Sequence, residues 1–226
     1  MAPLAKDKDV LVLLPSAASR NLYESAGGKI YQIQYALEDE SKFIAEKMYE
    51  LGYEKVVLVS YQNAFSEVHV KSFKENYKGE ITNEIVYQND TTDVSSELLK
   101  IRDAEAEAIF VADITFFFGQ GVERLKQYNI TLPVFSQYAV ELPAVRSLVE
   151  GIIYSYPADV GEQGAIFELS KVSAEKLVEY INKCDGEYSC VKESFEDSPD
   201  FSNDGVREQS IVLKQIVDSQ TTTFQK

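Results

Sequence analysis

Few residues in this chain are placed to do chemistry. His69 is the one histidine, and it stands between Phe65 and Phe73 in a stretch of helical periodicity. It cannot belong to a multi-histidine metal site and reads as a satisfied surface or groove histidine. Cys184 and Cys190 are separated by Asp-Gly-Glu-Tyr-Ser. That spacing is too long for a redox Cys-x-x-Cys pair and too isolated for zinc, but it suits a disulfide closing a small loop after a helix. In a reducing compartment the alternative is two free thiols. The acidic run from Glu196 to Gly205 lacks the alternating carboxylates of a calcium loop and reads as a solvated loop. Gly119-Gln120-Gly121 opens like a dinucleotide fingerprint but has no third glycine and lies within a helix-period stretch. No catalytic residue, metal ligand set or cofactor is therefore expected.

The polar and aromatic residues that follow apolar runs are more informative. Phe65, Asp113, Thr115, Gln137 and Tyr138 each come after a predicted strand. In an α/β sheet that edge is where small molecules bind. Asp113 serves equally well as a helix N-cap, and Phe116-Phe117-Phe118 as core packing.

The elements that would position these residues repeat at a regular pitch. Apolar runs at 55–60, 81–87 and 108–112 are each followed by an amphipathic stretch, at 66–77, 93–102 and 116–128, and a further run at 132–135 closes the series. The runs are too uniformly apolar to be half-solvated, which predicts a parallel sheet covered by helices on both faces. One stripe of each helix repeats at helical spacing: Ile44, Met48 and Leu51; Val70, Phe73 and Tyr77; Val94, Leu98 and Ile101; Phe118, Val122 and Leu125. Asp39 and Asp93 stand at N-cap positions, and Gly52 and Gly79 at helix stops. Strands are also expected at 10–14 and 30–34, joined by a polar loop, and at 152–155. Helices are expected at 143–149 and at 165–184, the latter with Ser173, Leu177 and Ile181 on one side. An acidic irregular tail then leads to a strand at 210–217 and a frayed end.

Composition limits the partners. With 22 basic and 37 acidic residues the formal net charge is -15. This repels phosphate backbones and anionic lipid, so nucleic acid is not an expected partner. No apolar run approaches a membrane span, and the first residues have neither the basic nor the apolar segment of a signal peptide, so no direct membrane insertion is expected.

The order of these elements, together with the segment Met1-Ala-Pro-Leu-Ala-Lys-Asp-Lys-Asp-Val-Leu-Val-Leu-Leu-Pro-Ser-Ala-Ala-Ser, Leu51-Gly-Tyr-Glu-Lys-Val-Val-Leu-Val-Ser, Phe65-Ser-Glu, Ala108-Ile-Phe-Val-Ala and Glu150-Gly-Ile-Ile-Tyr, resembles type I periplasmic solute-binding proteins, in particular the branched-chain amino-acid-binding group of ABC transporters. The likeness runs from Met1 to about Pro157, and more weakly over 203–217. It implies two α/β lobes: residues 1–37 a partial, N-terminally truncated first lobe, 38–155 a complete second lobe, and 156–226 a shortened return to the first with a C-terminal strand. It also implies a small-molecule ligand, ABC transporter membrane subunits as partners, and a periplasmic or extracellular location. A sensor domain of the same fold and a Rossmann-like enzyme are the alternatives.

The resemblance assigns site residues one by one. The loop Ser16-Ala17-Ala18-Ser19 would face a ligand carboxylate, with Ala18 standing where the family carries a hydroxyl. Phe65 would cover the ligand, and Thr115, beside Asp113, would be a second contact. Tyr138 occupies the position of the acid that pairs with an amino group. Tyrosine cannot neutralise an ammonium at pH 7, so the ligand is expected to lack one.

Overall fold

The computed structural model describes residues 2–88, 91, 93–113, 121–146, 148–160 and 165–225. The chain divides into two compact units, one of residues 1–37 and 157–210, the other of 38–156 and 211–226.

The chain opens in the first unit with α1 (Ala2–Lys8), β1 (Val12–Leu14), α2 (Asn21–Ser25) and β2 (Ile30–Gln32). Strands β1 and β2 are shorter than their apolar runs suggest, and the connection expected to be a plain loop contains α2. The two strands pair in parallel, Leu13 opposite Tyr31.

The second unit then runs α3 (Leu37–Glu50), β3 (Lys55–Tyr61), α4 (Ala64–Asn76), β4 (Glu80–Tyr87), α5 (Ser95–Arg102) and β5 (Ala108–Ala112). It continues with α6 (Glu123–Leu125) and a 3-10 turn (Lys126–Tyr128), β6 (Val134–Ser136), a 3-10 turn at Tyr138–Glu141, α7 (Pro143–Arg146) and β7 (Ile153–Pro157). Of the helix expected at 116–128, residues 116–120 lie outside the described residues.

The return through the first unit is α8 (Ala165–Lys183) and α9 (Tyr188–Glu196), and β8 (Ile211–Val217) and β9 (Gln220–Thr223) end the chain in the second unit. The expectation that everything after residue 156 returns to the first lobe thus fails for residues 211–226. Residues 188–196 are helical rather than irregular because Val191 and Phe195, four apart, bury one face. The expected frayed end is instead an antiparallel hairpin, Lys214 opposite Thr223.

The second unit is built on a seven-stranded sheet in the order β4-β3-β5-β6-β7-β8-β9. The pairs among β3, β4, β5, β6 and β7 are parallel. All five residues of β5 are buried, as a central parallel strand requires. The stripe read from the sequence packs here: Ile44, Met48 and Phe73 meet Val56, Leu58, Phe110 and Phe135 in one core. Gly79 does not stop a helix, since α4 ends at Asn76. A Cβ at Gly79 would lie 2.4 Å from the Glu54 carbonyl oxygen, so glycine permits the backbone to enter β4. Asp39 is not an N-cap, because α3 begins at Leu37. With Glu38 and Glu40 it forms an acidic first turn that complements the helix dipole. Asp93 is not the N-cap either: that position is Val94, and Asp93, one residue before it, accepts from Ser95 N at 3.1 Å in an Asx turn that leads into the helix.

The first unit has an aromatic core in which Tyr31 meets Phe195 and Phe201, each with ring centroids 5.1 Å away. On α8, Ser173 is buried and Leu177 packs on this core, but Ile181 is exposed. The helix turns Tyr180 and Cys184 inward instead. Cys184 and Cys190 are joined in a disulfide between α8 and α9. Closing so short a loop contributes about 2 kcal/mol by restricting the unfolded chain. The Cys184→Ser/Cys190→Ser double variant is expected to lose about that much in equilibrium urea unfolding. Equal stability, with both wild-type thiols alkylated in the absence of reductant, would contradict the pairing.

Candidate ligand-binding site

The strand order of the second unit dictates where a site can form. From β3 the chain runs through α4 to β4 on one side, whereas β5 lies on the other side of β3. The carboxyl ends of β3 and β5 therefore flank a topological switch point, the place where open α/β sheets take small molecules. The residues that follow β3, β5 and β6 meet there.

After β3, Asn63 caps α4 by accepting from Ser66 N at 2.7 Å, which fixes the first turn and with it Phe65, Ser66 and, one turn on, His69. Phe65 is half-buried, and its ring lies 4.5 Å from the imidazole of His69. His69 is fully buried, not a surface or groove residue. Its Nδ1 is hydrogen-bonded to Ser41 Oγ at 2.5 Å, and its Nε2 lies 3.9 Å from Glu40 Oε2. Burial pushes its pKa down to about 3, so the imidazole is neutral at physiological pH and the approach to Glu40 is not an ion pair.

Glu40 is itself fully buried and ties three elements together. Its Oε1 accepts from Tyr138 N at 2.9 Å and from the Ser155 hydroxyl. Gln137, before Tyr138, donates from Nε2 to the Asp113 carbonyl oxygen at 2.5 Å, joining the ends of β5 and β6. Serine, histidine and carboxylate in a row invite comparison with a hydrolase triad. However, Ser41 is fully buried, and a base with a pKa near 3 is too weak to activate it at neutral pH. Ser41, His69 and Glu40 thus form a buried polar row between α3 and α4.

Of the residues expected to form a site, Phe65, Asp113 and Tyr138 come to this switch point, and Thr115 lies outside the described residues. The Ser16-Ala17-Ala18-Ser19 loop follows β1 in the first unit. There Ala17 N donates to Gln34 Oε1 at 3.1 Å and Ala18 N to Gln32 Oε1 at 2.8 Å. Two loop amides that could have met a ligand carboxylate are thus held by buried glutamine side chains. Gln34 Nε2 is buried and makes no hydrogen bond among the described residues.

Sequence reasoning missed Gln32, Gln34, Glu40, Ser41, Ser66 and Ser155. The signal for the glutamines was their alternation with Tyr31, Ile33 and Tyr35 on a buried segment. For Glu40 and Ser155 there was no local signal. Among the described residues, no group of three or more His, Cys, Asp or Glu side chains is placed to hold a metal ion, and no helix is long and apolar enough to cross a membrane.

Residues 1–150 match the family model described as periplasmic binding protein. The chain belongs to this family. Among solved structures, the leucine-binding protein LivK of Thermotoga maritima superposes with a TM-score of 0.86 at 13% identity, over 99% of this chain and 75% of that one. A solute-binding protein of an ABC transporter from R. palustris, in complex with benzoate, gives a TM-score of 0.84 at 15% identity, over 99% and 72%. LivJ of Streptococcus pneumoniae, a branched-chain amino acid transporter substrate-binding protein in complex with isoleucine, gives 0.81 at 17%, over 97% and 73%. These structures share the α/β fold, and about a quarter of the length of each lies outside the part that this chain covers. A comparison with curated proteins found no match.

Proposed function

We propose that this chain is a solute-binding protein that captures a small organic molecule outside the cytoplasm and presents it to the membrane subunits of an ABC transporter. The family match over residues 1–150 carries this reading. Structural relatives crystallised with benzoate and with isoleucine support a small organic cargo.

The ligand is an aromatic or aliphatic acid or amide without an α-ammonium group. It packs on Phe65 and takes a hydrogen bond from Tyr138. Support comes from Glu40: its Oε1 already accepts from Tyr138 N and Ser155, so this carboxylate serves the framework beside Tyr138. A ligand ammonium would have to compete with those donors.

Thermal unfolding in the presence of benzoate, leucine or isoleucine tests the reading. Benzoate at a hundred times its dissociation constant is expected to stabilise the protein by about 2.7 kcal/mol, and Phe65→Ala to weaken that effect. Strong shifts from leucine or isoleucine that survive Phe65→Ala and Tyr138→Ala would overturn the ligand class and the site. No shift from any small acid, amide or amino acid would overturn the solute-binding reading.

A further inference from the structure

In the first unit, α8 turns an apolar stripe to solvent. Phe167, Ser170, Ala174, Val178 and Ile181 follow one another along this helix at intervals of three, four, four and three residues. At 3.6 residues per turn they fall within about 80° of its circumference. All of them are exposed, Phe167 at 58%, Val178 at 54% and Ile181 at 40%. Single apolar residues on a surface are ordinary, but a continuous stripe marks a contact with another molecule. The opposite side of the helix is fixed in place. Leu169, Ser173 and Tyr180 are buried, the Tyr180 hydroxyl donates to Ser198 Oγ at 2.7 Å, and Cys184, one residue past the helix end, is bonded to Cys190. The stripe is therefore presented by a rigid element and loses little freedom when it is covered.

The order of the side chains indicates what covers it. Ala174 is the midpoint, with Phe167 and Ile181 seven residues to either side and Ser170 and Val178 four. A second α8 running antiparallel about a two-fold axis at Ala174 sets Phe167 of each copy against Ile181 of the other, and Ser170 against Val178. The small Ala174 side chains meet at the axis and let the helices approach closely. The flanking charges obey the same symmetry. Lys171 and Glu175 lie on one edge of the stripe, and neither makes an ion pair among the described residues. In a two-fold antiparallel pair the same edges meet, so Lys171 of each copy comes alongside Glu175 of the other. A stripe that complements itself in both size and charge fits a second copy of this chain.

We propose that α8 is a dimerisation surface, two copies of this protein pairing these helices antiparallel about Ala174. The contact is one helix wide and below the standard interface size, so the dimer is a weak one, in the micromolar range. The formal charge of -15 on each copy opposes association, and salt screens that repulsion.

Sedimentation equilibrium of the full chain at about 0.15 M salt, over roughly 1 to 300 micromolar protein, tests the proposal. A monomer–dimer equilibrium is expected. Ala174→Arg places two guanidinium groups face to face at the axis and is expected to raise the dissociation constant about tenfold or more. Lys171→Glu is expected to weaken the dimer and Lys171→Glu/Glu175→Lys to restore it, a rescue that a role within one copy does not produce. These positions are exposed, and the circular dichroism spectrum and urea midpoint show that each variant is folded. Leu99→Arg, on the exposed face of α5 in the second unit, is the control and should leave the dissociation constant unchanged. A chain that stays monomeric over the whole range would overturn the proposal and leave the stripe to a different partner. A dimer that folded Ala174→Arg leaves intact would overturn it as well. Loss of the dimer in Lys171→Glu without rescue by the exchanged pair would overturn the antiparallel register. None of these outcomes bears on the solute-binding reading, which stands on its own test.

Discussion

Phe110→Ala is expected to lower the unfolding free energy by about 3–5 kcal/mol, the range for truncating a fully buried aromatic side chain. Phe110 lies in the middle of β5, flanked by β3 and β6, and has no exposed surface. Its ring stacks on Phe73 with centroids 4.4 Å apart and planes within 15°. Phe73 is in turn stacked on Tyr77, whose hydroxyl donates to the Tyr53 carbonyl oxygen at 2.7 Å. Truncation therefore opens a void between the sheet and α4 that neither element can close without breaking its own hydrogen bonds. Urea unfolding measures the loss, with Val86→Ala as the control. Val86 lies on edge strand β4 at 52% exposure, and its truncation should change stability by no more than about 0.5 kcal/mol. A Phe110→Ala cost as small as that of the control would contradict the packing of this core. In a double-mutant cycle Phe110→Ala and Phe73→Ala should couple by about 0.5–1.5 kcal/mol, the measured range for aromatic pairs.

A stability that declines as the pH falls from 7 to 5 is the second large effect expected, and His69 is its source. In the unfolded chain this histidine takes up a proton as the pH falls through 6.5, whereas in the folded protein burial holds its pKa down at about 3. The unfolded state therefore binds the extra proton first. The contribution to stability is complete above pH 6.5 and shrinks by up to about 1.4 kcal/mol per pH unit below it. Between pH 6.5 and 5 this amounts to roughly 2 kcal/mol, in a window above the titration of ordinary carboxylates. Glu40, from α3, is the titratable group that faces the imidazole, its Oε2 3.9 Å from Nε2. Folded His69→Leu should show a much flatter dependence over this window, measured by urea unfolding at pH 7, 6 and 5. A slope equal to that of the wild type would show that the imidazole titrates normally in the folded state, and the description of His69 as buried and neutral would then be wrong.

The two effects differ in how far the sequence foretells them. Phe110 sits in Ala108-Ile-Phe-Val-Ala, an uninterrupted apolar run between two helical stretches, and Phe73 lies on a stripe with Val70 and Tyr77. Their meeting across a sheet follows from periodicity, because a parallel strand and the helix covering it must both bury their apolar residues. His69 shares that helix but departs from the rule. Its neighbours three and four residues away are apolar or small, and a polar residue among them reads from sequence as one facing out. It faces in because Ser41, twenty-eight positions earlier, satisfies Nδ1.

By itself the sequence determined the strand–helix alternation, the parallel core of the second unit and family membership through ordered motifs. These rest on short-range patterns that the backbone repeats every two or every 3.6 residues. It also placed Phe65, Asp113 and Tyr138 at the carboxyl edge of the sheet, since position after a strand is a local property. Only the tertiary structure decided that β8 and β9 complete the second unit's sheet, that Gln32 and Gln34 hold the amides of Ala17 and Ala18, and that Glu40 joins Tyr138, Ser155 and His69. The physical reason is common to all three. A buried polar group must find its partner wherever the fold brings one, and partners up to 115 positions apart leave no trace in local composition.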